Sequence, residues 1–241
     1  AVALTTSNRL VTFGTYSTWS ATNDVPVTGL AANEVLVGID RRPKDAALYA
    51  IARAPQATSL YRIDATTGQA TKVADLVTTT GAPVVLFGAE FGVDFNPAAD
   101  AIRIVSDGGQ NLRVLPSERT VETVVRPAGT TFADGTLNEG GFAAAGVTAA
   151  AYTGNDNDPA TPTKLYVLDA DDGRVLLQDP PNAGTLGTPV NVKGDVSRVA
   201  GFDILTLGGS DYAYATLSRD SSGKTRLVKV DLGSGQVRDL G

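Results

Sequence analysis

The sequence predicts an all-β fold, a β-propeller of about five four-stranded blades. Three stretches align as one motif that ends in Gly-x-Asp, namely Val37–Asp40, Phe91–Asp94 and Ala200–Asp203. The first two aspartates are 54 residues apart and the next two are 109 apart, about twice as far. A four-stranded unit that repeats about every 50 residues is typical of a propeller blade, because one such sheet buries both faces only when other sheets pack against it.

Runs of β-branched and aromatic residues follow each motif, and many of the 26 glycines and 12 prolines separate them, as expected for strands joined by tight turns. A fourth copy of the motif, expected near residue 149, coincides with the apolar run Val147–Tyr152, which has alanine in place of aspartate. The second strands are predicted at Ala47–Ile51, Ala101–Val105, Lys164–Leu168 and Asp211–Ala215. The third strands are predicted at Leu60–Asp64, Leu112–Leu115, Val175–Gln178 and Leu227–Asp231, and two fourth strands at Thr71–Leu76 and Gln236–Leu240.

The predicted blades divide a single domain, residues 1–241, into the segments 1–28, 35–76, 91–125, 146–194 and 199–241. The first blade is partial, because Val2–Leu4, Arg9–Phe13 and Val25–Thr28 supply strands but an innermost strand is lacking. Six blades are the alternative. They require a strand pair within residues 126–146, a segment rich in glycine and alanine that we predict to be a long loop.

The composition excludes several kinds of site. The chain has no Cys, His or Met, so it can form no disulfide and has no thiolate or imidazole for metal binding or catalysis. A net charge of −6 and an aromatic content of 6% argue against nucleic acid as a partner, since that needs clustered Lys and Arg or stacking rings. No apolar run approaches the roughly 20 residues of a membrane helix, so we expect no membrane insertion.

The absence of methionine also bears on localisation. It predicts a mature chain that begins at Ala1 after removal of a signal peptide, with an artificially shortened chain as the alternative. We therefore expect a secreted protein, either extracellular or periplasmic. Its expected partner is a protein or carbohydrate at the cell surface, or a second copy of the chain.

The central stretch of the chain resembles a known family. Gly92–Pro97, followed by Asp100, Ile102, Arg103, Ser106, Gly109, Asn111 and Arg113, is similar to the hallmark of a secreted bacterial family, domain of unknown function 4394. Supporting stretches are Leu36–Asp40, Leu48-Tyr49, Ala149–Tyr152 and Gln178–Leu186. The resemblance covers nearly the whole chain and implies a propeller-like fold exported by bacteria, sometimes as a module of larger surface proteins. It supplies no catalytic residues, and the chain departs from the pattern at Arg41-Arg42.

The repeated aspartates are candidate ligands for a cation. Asp40, Asp94 and Asp203 end first strands, which line the central channel of a propeller, so their carboxylates can converge on Ca²⁺, the one cofactor that the residues suggest. In the alternative interpretation each aspartate caps the following turn by accepting backbone N–H bonds.

Two acidic loops invite the same interpretation. Asp156 and Asp158 are candidate Ca²⁺ ligands in a peripheral loop, although their spacing is not that of the twelve-residue calcium loop. Asp169, Asp171 and Asp172 precede Gly173 and are predicted to form a hairpin turn. Solvated turns are the alternative for both loops.

A second set of polar residues lies on adjacent predicted strands and is a candidate ligand site. It consists of Asp94, Asn96, Arg103, Asn111 and Arg113. The two arginines can present bidentate forks to a carboxylate or sulfate. The alternative is an internal network in which Asp100 and Asp107 are the partners of the arginines.

The function that we predict is a non-catalytic extracellular or cell-surface module for binding a ligand or partner, or for self-assembly. The alternative is a carboxylate-based glycoside hydrolase at the channel mouth, with Asp40, Asp94, Asp203 and Glu90 as candidates, since such enzymes need two carboxylates about 5–10 Å apart. Facing carboxylates with raised pKa values in one open pocket would favour the hydrolase, and dispersed turn caps would favour the binding module. Tyr16 and Trp19 are either an aromatic platform for a sugar ring or edge packing of the first blade.

Overall fold

The computed structural model describes residues 1–15, 17–194, 201–219 and 224–241, with the backbone alone for 17–20, 218–219 and 224. These residues form an all-β protein with a propeller-like arrangement of four blades. A smaller sheet from the start of the chain precedes the four blades. The predicted counts of five or six blades stay predictions.

The small sheet contains three antiparallel strands in chain order, as expected from the alternation of apolar and polar residues in its first strands. Leu10 is fully buried and packs among apolar side chains of the first blade. The predicted aromatic platform, Tyr16 and Trp19, lies outside the described side chains. The strands are β1 (Val2–Leu4), β2 (Arg9–Gly14) and β3 (Ser17–Pro26).

The first blade is a four-stranded antiparallel meander, and its innermost strand contains the first Gly-x-Asp motif. Its middle strands are almost completely buried, because both of their faces are covered by neighbouring sheets. The strands are β4 (Val35–Arg41), β5 (Leu48–Ala54), β6 (Ala57–Ile63) and β7 (Ala70–Asp75).

The second blade contains the central stretch of the sequence. Its strands are β8 (Val77–Thr78), β9 (Phe91–Asn96), β10 (Ala101–Ser106), β11 (Asn111–Val114), the separate hairpin β12 (Arg119–Val121) and β13 (Val124–Arg126), and β14 (Thr130–Ala133). The order across the sheet is β8-β14-β11-β10-β9. The prediction of a long loop over residues 126–146 is therefore wrong in part. The chain returns there to add β14 to the sheet, because Thr130 and Thr131 can be buried once their backbone groups are paired.

The third blade is extended at its outer edge by a hairpin from the same segment. Its strands are β15 (Asn138–Glu139), β16 (Phe142–Ala143), β17 (Val147–Tyr152), β18 (Leu165–Asp169), β19 (Arg174–Gln178), β20 (Thr185–Leu186) and β21 (Val190–Asn191). The order is β16-β15-β20-β19-β18-β17, and β21 also pairs with β19. One turn of 3₁₀ helix, Pro181–Ala183, follows a cis Asp179-Pro180 bond. Within the described chain no helix is long and apolar enough to cross a membrane.

The fourth blade is again a four-stranded antiparallel meander. Its inner strand alternates between exposed and buried residues, with Phe202 and Ile204 turned towards the third blade. The strands are β22 (Gly201–Leu207), β23 (Ser210–Arg219), β24 (Lys224–Val230) and β25 (Val237–Asp239).

Four apolar clusters hold neighbouring sheets together, one between each successive pair. The first joins the small sheet to the first blade, and the others join the first blade to the second, the second to the third and the third to the fourth. In the described part of the chain no such cluster joins the fourth blade to the small sheet, and Leu205 and Leu207 of β22 are exposed. Among the described side chains, the last and first sheets therefore share no apolar core, and we call this boundary the seam.

Candidate functional site

The Gly-x-Asp motif has a physical reason in the packing of the inner strands. A Cβ atom on Gly38 would lie 2.4 Å from the Val93 side chain, and one on Gly92 would lie 2.5 Å from the backbone of Ala149 and Ala150. Glycine at these positions lets each inner strand approach the next one closely. The aspartate two residues later then reaches the axis where the inner strands converge.

Three of these aspartates meet at one point. One carboxylate oxygen from each of Asp40, Asp94 and Asp203 lies within 4.8 Å of the other two. The three side chains come from β4, β9 and β22, and thus from three different blades. Asp94 is buried, Asp40 is half-buried and Asp203 is exposed. Asp203 therefore marks the side on which solvent, or an ion, reaches the cluster.

Hydrogen bonds connect these carboxylates to the backbone of neighbouring strands. Asp40 accepts from the N–H of Arg41 at 2.6 Å and from the N–H of Phe95, in the next blade, at 2.7 Å. Asp94 accepts from the N–H of Tyr152, also in the next blade, at 2.8 Å. The carboxyl oxygens of Asp40 and Asp94 lie within 4.8 Å of each other, so a proton retained on one of them lowers the repulsion between the two groups. The predicted role as simple turn caps does not describe this arrangement, since two of the bonds cross between blades.

The pKa of each of the three carboxyl groups is raised. Burial and the nearby charge of Asp203 raise the pKa of Asp40 from 3.8 to about 8. Burial and the charges of Asp40 and Asp203 raise the pKa of Asp94 well above its ordinary value. The pKa of Asp203 is raised by desolvation even though the residue is exposed, because protein atoms surround its carboxyl group on the other sides.

The cluster is suited to hold a cation. Three ionised carboxylates this close repel one another, and the protein relieves the repulsion by retaining protons or by binding a positive ion. Ca²⁺ takes six to eight oxygen ligands and needs no nitrogen or sulfur ligand, which fits an all-oxygen site. The fourth inner strand carries Ala151, which is fully buried, at the corresponding position and so contributes no side-chain ligand.

The second predicted set forms a buried network in the second blade. Asp94 lies opposite Arg103 in the ladder, and Arg103 lies opposite Arg113. Arg103 is 2% exposed and donates to Asn111 at 2.8 Å. Asn96 stands apart, since its side chain accepts from the N–H of Ala99 and so caps a turn.

The partners of the two arginines differ from the predicted ones. Asp134 accepts from Arg103 at 2.7 Å and from Arg113 at 3.3 Å, and Asn182 accepts from Arg103 at 2.7 Å. The prediction that Asp100 and Asp107 are these partners is wrong. Asp100 instead pairs with Arg42 at 2.7 Å and with Lys44, and Asp107 accepts from the N–H of Ala89. Sequence spacing could not identify Asp134 and Asn182, because they come from segments without a repeat signal.

The acidic loop with Asp156 and Asp158 is held by turn bonds. Asp156 accepts from the N–H of Asp158 at 2.8 Å and from the Thr161 hydroxyl, and Asp158 accepts from the N–H of Ala160 at 2.9 Å. The neighbouring Asn155, which the sequence did not single out, pairs with the inner strand β22. Its amide donates to the carbonyl of Ile204 at 2.5 Å and accepts from the N–H of Thr206 at 3.1 Å.

The remaining acidic residues also have structural partners. Asp169 accepts from the N–H groups of Asp171 and Asp172 at 3.1 Å each, which agrees with the predicted hairpin turn. Asp169 also pairs with Arg174 at 2.6 Å. The carbonyl of Glu90 accepts from the N–H of Asp107, at the base of the second blade.

Two open clefts lie away from the central aspartates. One, of about 440 Å³, is lined by Glu139, Phe142, Ala143–Ala145 and Arg174 at the outer edge of the third blade. The other, of about 480 Å³, lies between Tyr166 of the third blade and the Asp231–Gly233 turn of the fourth. Neither cleft is lined by residues of the candidate sets.

The chain is similar to a protein family and to several solved structures. A family model described as Domain of unknown function (DUF4394) matches residues 9–241. No curated protein matches the sequence. Similar solved structures include a putative 6-phosphogluconolactonase from Bacteroides uniformis, with 12% identity and a TM-score of 0.41 over 100% of this chain and 66% of that one. A functionally unknown protein from Desulfotomaculum acetoxidans has 12% identity and a TM-score of 0.37 over 99% of this chain and 77% of that one. This chain thus spans just under two thirds of the first of these structures.

Proposed function

The chain belongs to the family Domain of unknown function (DUF4394), and we propose that it is a non-catalytic extracellular or cell-surface module that binds a ligand or partner, or assembles with copies of itself. In this proposal Ca²⁺ bound by Asp40, Asp94 and Asp203 fixes three blades relative to one another. The observation that carries the proposal is the convergence of these carboxylates from three blades to within 4.8 Å.

The hydrogen bonds support a structural rather than a catalytic role for the cluster. Asp40 and Asp94 accept from backbone N–H groups of the next blade, so both carboxylates already contribute to the assembly of the ring. A cation at the same point would displace the protons that the raised pKa values retain, and it would cancel the repulsion among the three carboxylates. It would also link β22 of the fourth blade to β4 of the first blade and β9 of the second.

Thermal unfolding with and without Ca²⁺ tests the proposal. A ligand that binds only the native state at 100 times its dissociation constant stabilises it by about 2.7 kcal/mol. For a chain of this size each kcal/mol shifts Tm by roughly 2–4 °C, so we expect a rise of several degrees with Ca²⁺ and none with excess chelator. Asp203→Asn should remove the rise. Asp156→Asn, a matched change in the peripheral loop, should leave it unchanged.

The outcomes of this experiment are distinct. If Ca²⁺ raises Tm equally in the Asp203→Asn variant, the calcium site lies elsewhere and the assignment is overturned. The absence of any rise at saturating Ca²⁺ would leave the aspartates as hydrogen-bonding links between blades. If the rise instead disappears with Asp156→Asn, the peripheral loop is the calcium site.

Self-assembly is supported by exposed strand edges. The hairpin β12–β13 pairs, among the described strands, only with itself, and its Val124 and Val125 are 45% and 62% exposed. Unpaired backbone groups on such a ribbon are a template for strand pairing between chains. Light scattering over a concentration series tests self-assembly through this hairpin. We expect Val125→Lys to lower the mass of any oligomer. A monomer at all concentrations would overturn it.

The second candidate function is the carboxylate-based glycoside hydrolase at the channel mouth. The raised pKa of Asp40, about 8, favours it, because a general acid must hold its proton at neutral pH. The position of the clefts described above opposes it, since neither is lined by Asp40 or Asp94 and a hydrolase needs an open pocket around its acid. Hydrolysis of a panel of nitrophenyl glycosides that is lost in Asp203→Asn would favour the hydrolase over the binding module.

A further inference from the structure

A cleft at the outer edge of the third blade has the features of a ligand site. It has a volume of about 440 Å³ and is lined by Glu139, Phe142, Ala143–Ala145 and Arg174, and we call it the Phe142 cleft. This volume lies in the range of small-molecule sites, about 300–1,000 Å³. One wall of the cleft is the hairpin β15–β16, and the opposite wall is the start of β19.

Phe142 is the most exposed large apolar residue of the described chain. Its side chain is 80% exposed at the tip of the hairpin, although burial of such a ring would contribute about 1.5–3 kcal/mol. The preceding Gly140 and Gly141 have φ angles of +59° and +84°, a conformation that favours glycine. The ring lines the cleft and is not part of the apolar cluster of the third blade.

The polar wall of the cleft is a fixed ion-pair network. The Arg174 guanidinium lies 3.2 Å from Glu139, 2.6 Å from Asp169 and 2.9 Å from Asp172. Three carboxylates thus surround one cation, and the local charge is negative. An anionic ligand would be repelled, whereas hydroxyl groups can donate to the carboxylates and accept from the guanidinium.

We propose that the Phe142 cleft binds a neutral pyranose sugar, with the Phe142 ring against the apolar face of the sugar and with Glu139 and Arg174 bound to its hydroxyl groups. An aromatic ring supplies a large apolar contact area at a low entropy cost, and the ion-paired side chains are already held in place before binding. This inference rests on the proposed role as a binding module. Its residues are separate from the central aspartates, so the two proposals can fail independently.

The experiment is saturation-transfer NMR on the full chain with neutral methyl glycosides of glucose, galactose, mannose and N-acetylglucosamine, and with their short oligosaccharides. We expect transfer to at least one of them, and at least a tenfold loss of its affinity in Phe142→Ala. Phe87→Ala is the matched control, because Phe87 is also an exposed phenylalanine, at 58%, but lies outside the cleft. Glu139→Gln should weaken the binding of the same sugar. Glucuronic acid should bind more weakly than glucose.

Several outcomes would overturn the proposal. The first is the absence of transfer to every sugar at millimolar concentration, and the second is equal affinity in the wild type and in Phe142→Ala. Binding of lysine methyl ester in place of the sugars would assign the cleft to a cationic group, and a change of oligomeric state in Phe142→Ala would assign it to a second copy of the chain. Repeating the titration with Asp203→Asn separates this result from the calcium test, since sugar binding should persist there.

Discussion

The carboxylate of Asp40 in the first blade accepts a hydrogen bond of 2.7 Å from the backbone N–H of Phe95 in the second blade. Asp94 repeats this bond one blade further on, with the N–H of Tyr152 at 2.8 Å. Phe95 and Tyr152 each follow the motif position that Asp94 and Ala151 occupy. The aspartate of one blade thus binds the inner strand of the next, and the repeated motif serves the contact between blades as well as the central cluster.

In calcium-free buffer the free energy of unfolding should fall as the pH rises from 5 to 8. The pKa of Asp40 is about 8 in the native state and near 3.8 in the unfolded chain, so over this range the native state holds a proton that the unfolded chain has released. The loss should level off above pH 8. Urea unfolding at a series of pH values measures it, and Asp40→Asn should flatten the slope. A stability that rises across this window would contradict the expectation.

Asp94→Asn should separate the proton-linked and calcium-linked parts of the cluster. The amide oxygen can still accept from the N–H of Tyr152, and the neutral amide removes one of the three carboxylates that repel one another. We expect this variant to be at least as stable as the wild type at pH 8 without calcium, and to gain nothing from Ca²⁺. Differential scanning calorimetry in both buffers measures this. A calcium-dependent rise in Tm equal to that of the wild type would show that Asp94 is not a ligand.

Gly92→Ala should weaken the contact between the second and third blades. The added Cβ would lie 2.5 Å from the backbone of Ala149 and Ala150, which cannot move as a side chain would. Overpacking of this kind costs about 1–3 kcal/mol, so Tm should fall by several degrees. Gly108→Ala is the control, because its Cβ would lie 3.4 Å or more from its neighbours. Equal effects of the two changes would show that close packing of the inner strands does not matter.

Arg103→Met should destabilise the protein strongly. Arg103 and Asp134 have side chains that are 2% and 8% exposed, so the change leaves a buried carboxylate without its main partner. Such a loss costs about 3–5 kcal/mol. Arg9→Met is the matched control, since the Arg9–Asp24 pair is 39% and 52% exposed and should contribute less than about 1 kcal/mol. Chemical denaturation of both variants measures the difference, and a cost near that of Arg9→Met would refute the account of the network.

Asn155→Ala should loosen the fourth blade from the third. The Asn155 amide takes the place of a peptide group beside β22, and its loss leaves the backbone groups of Ile204 and Thr206 without these bonds. We expect a cost of about 1–3 kcal/mol and faster hydrogen exchange in β22. Asn157→Ala, two residues along in the same loop and exposed, should have no measurable effect. Unchanged exchange rates in β22 would contradict the proposed contact.

The repeat of the motif predicted the inner strands and the meeting of their aspartates, because equivalent positions of packed blades face the same axis. Strand positions agree with the structure to within a few residues for most strands, as for Phe91–Asn96 and Val147–Tyr152. The sequence pattern did not predict the strands within residues 126–146. These strands, β14, β15 and β16, are short, and they add to sheets whose other strands come from elsewhere in the chain.

The buried network around Arg103 could be predicted from the sequence only in part. The strand ladder made it possible to predict that Arg103, Arg113 and Asn111 lie together, whereas their carboxylate partner comes from a loop that folds back onto the blade. Asp134 precedes Gly135, whose Cβ would lie 2.6 Å from the Ala183 carbonyl oxygen. The pairing of β14 with β11 places Asp134 beside the arginines, and the close packing of Gly135 against the Pro181–Ala183 turn brings Asn182 there. The sequence has no periodic pattern that would predict these contacts.

The seam between the fourth blade and the small first sheet determines how the molecule comes apart. As far as the described side chains show, four apolar clusters join the five sheets into a linear array of nearest neighbours, in which each inner sheet is coupled on two sides and each terminal sheet on one. Unfolding should therefore begin as fraying from the two ends of the array, and the middle sheet, which is the second blade, should be the last to unfold. Ligation of the central aspartates would join the fourth blade to the first and second blades through one ion, and fraying of the fourth blade would then depend on those two.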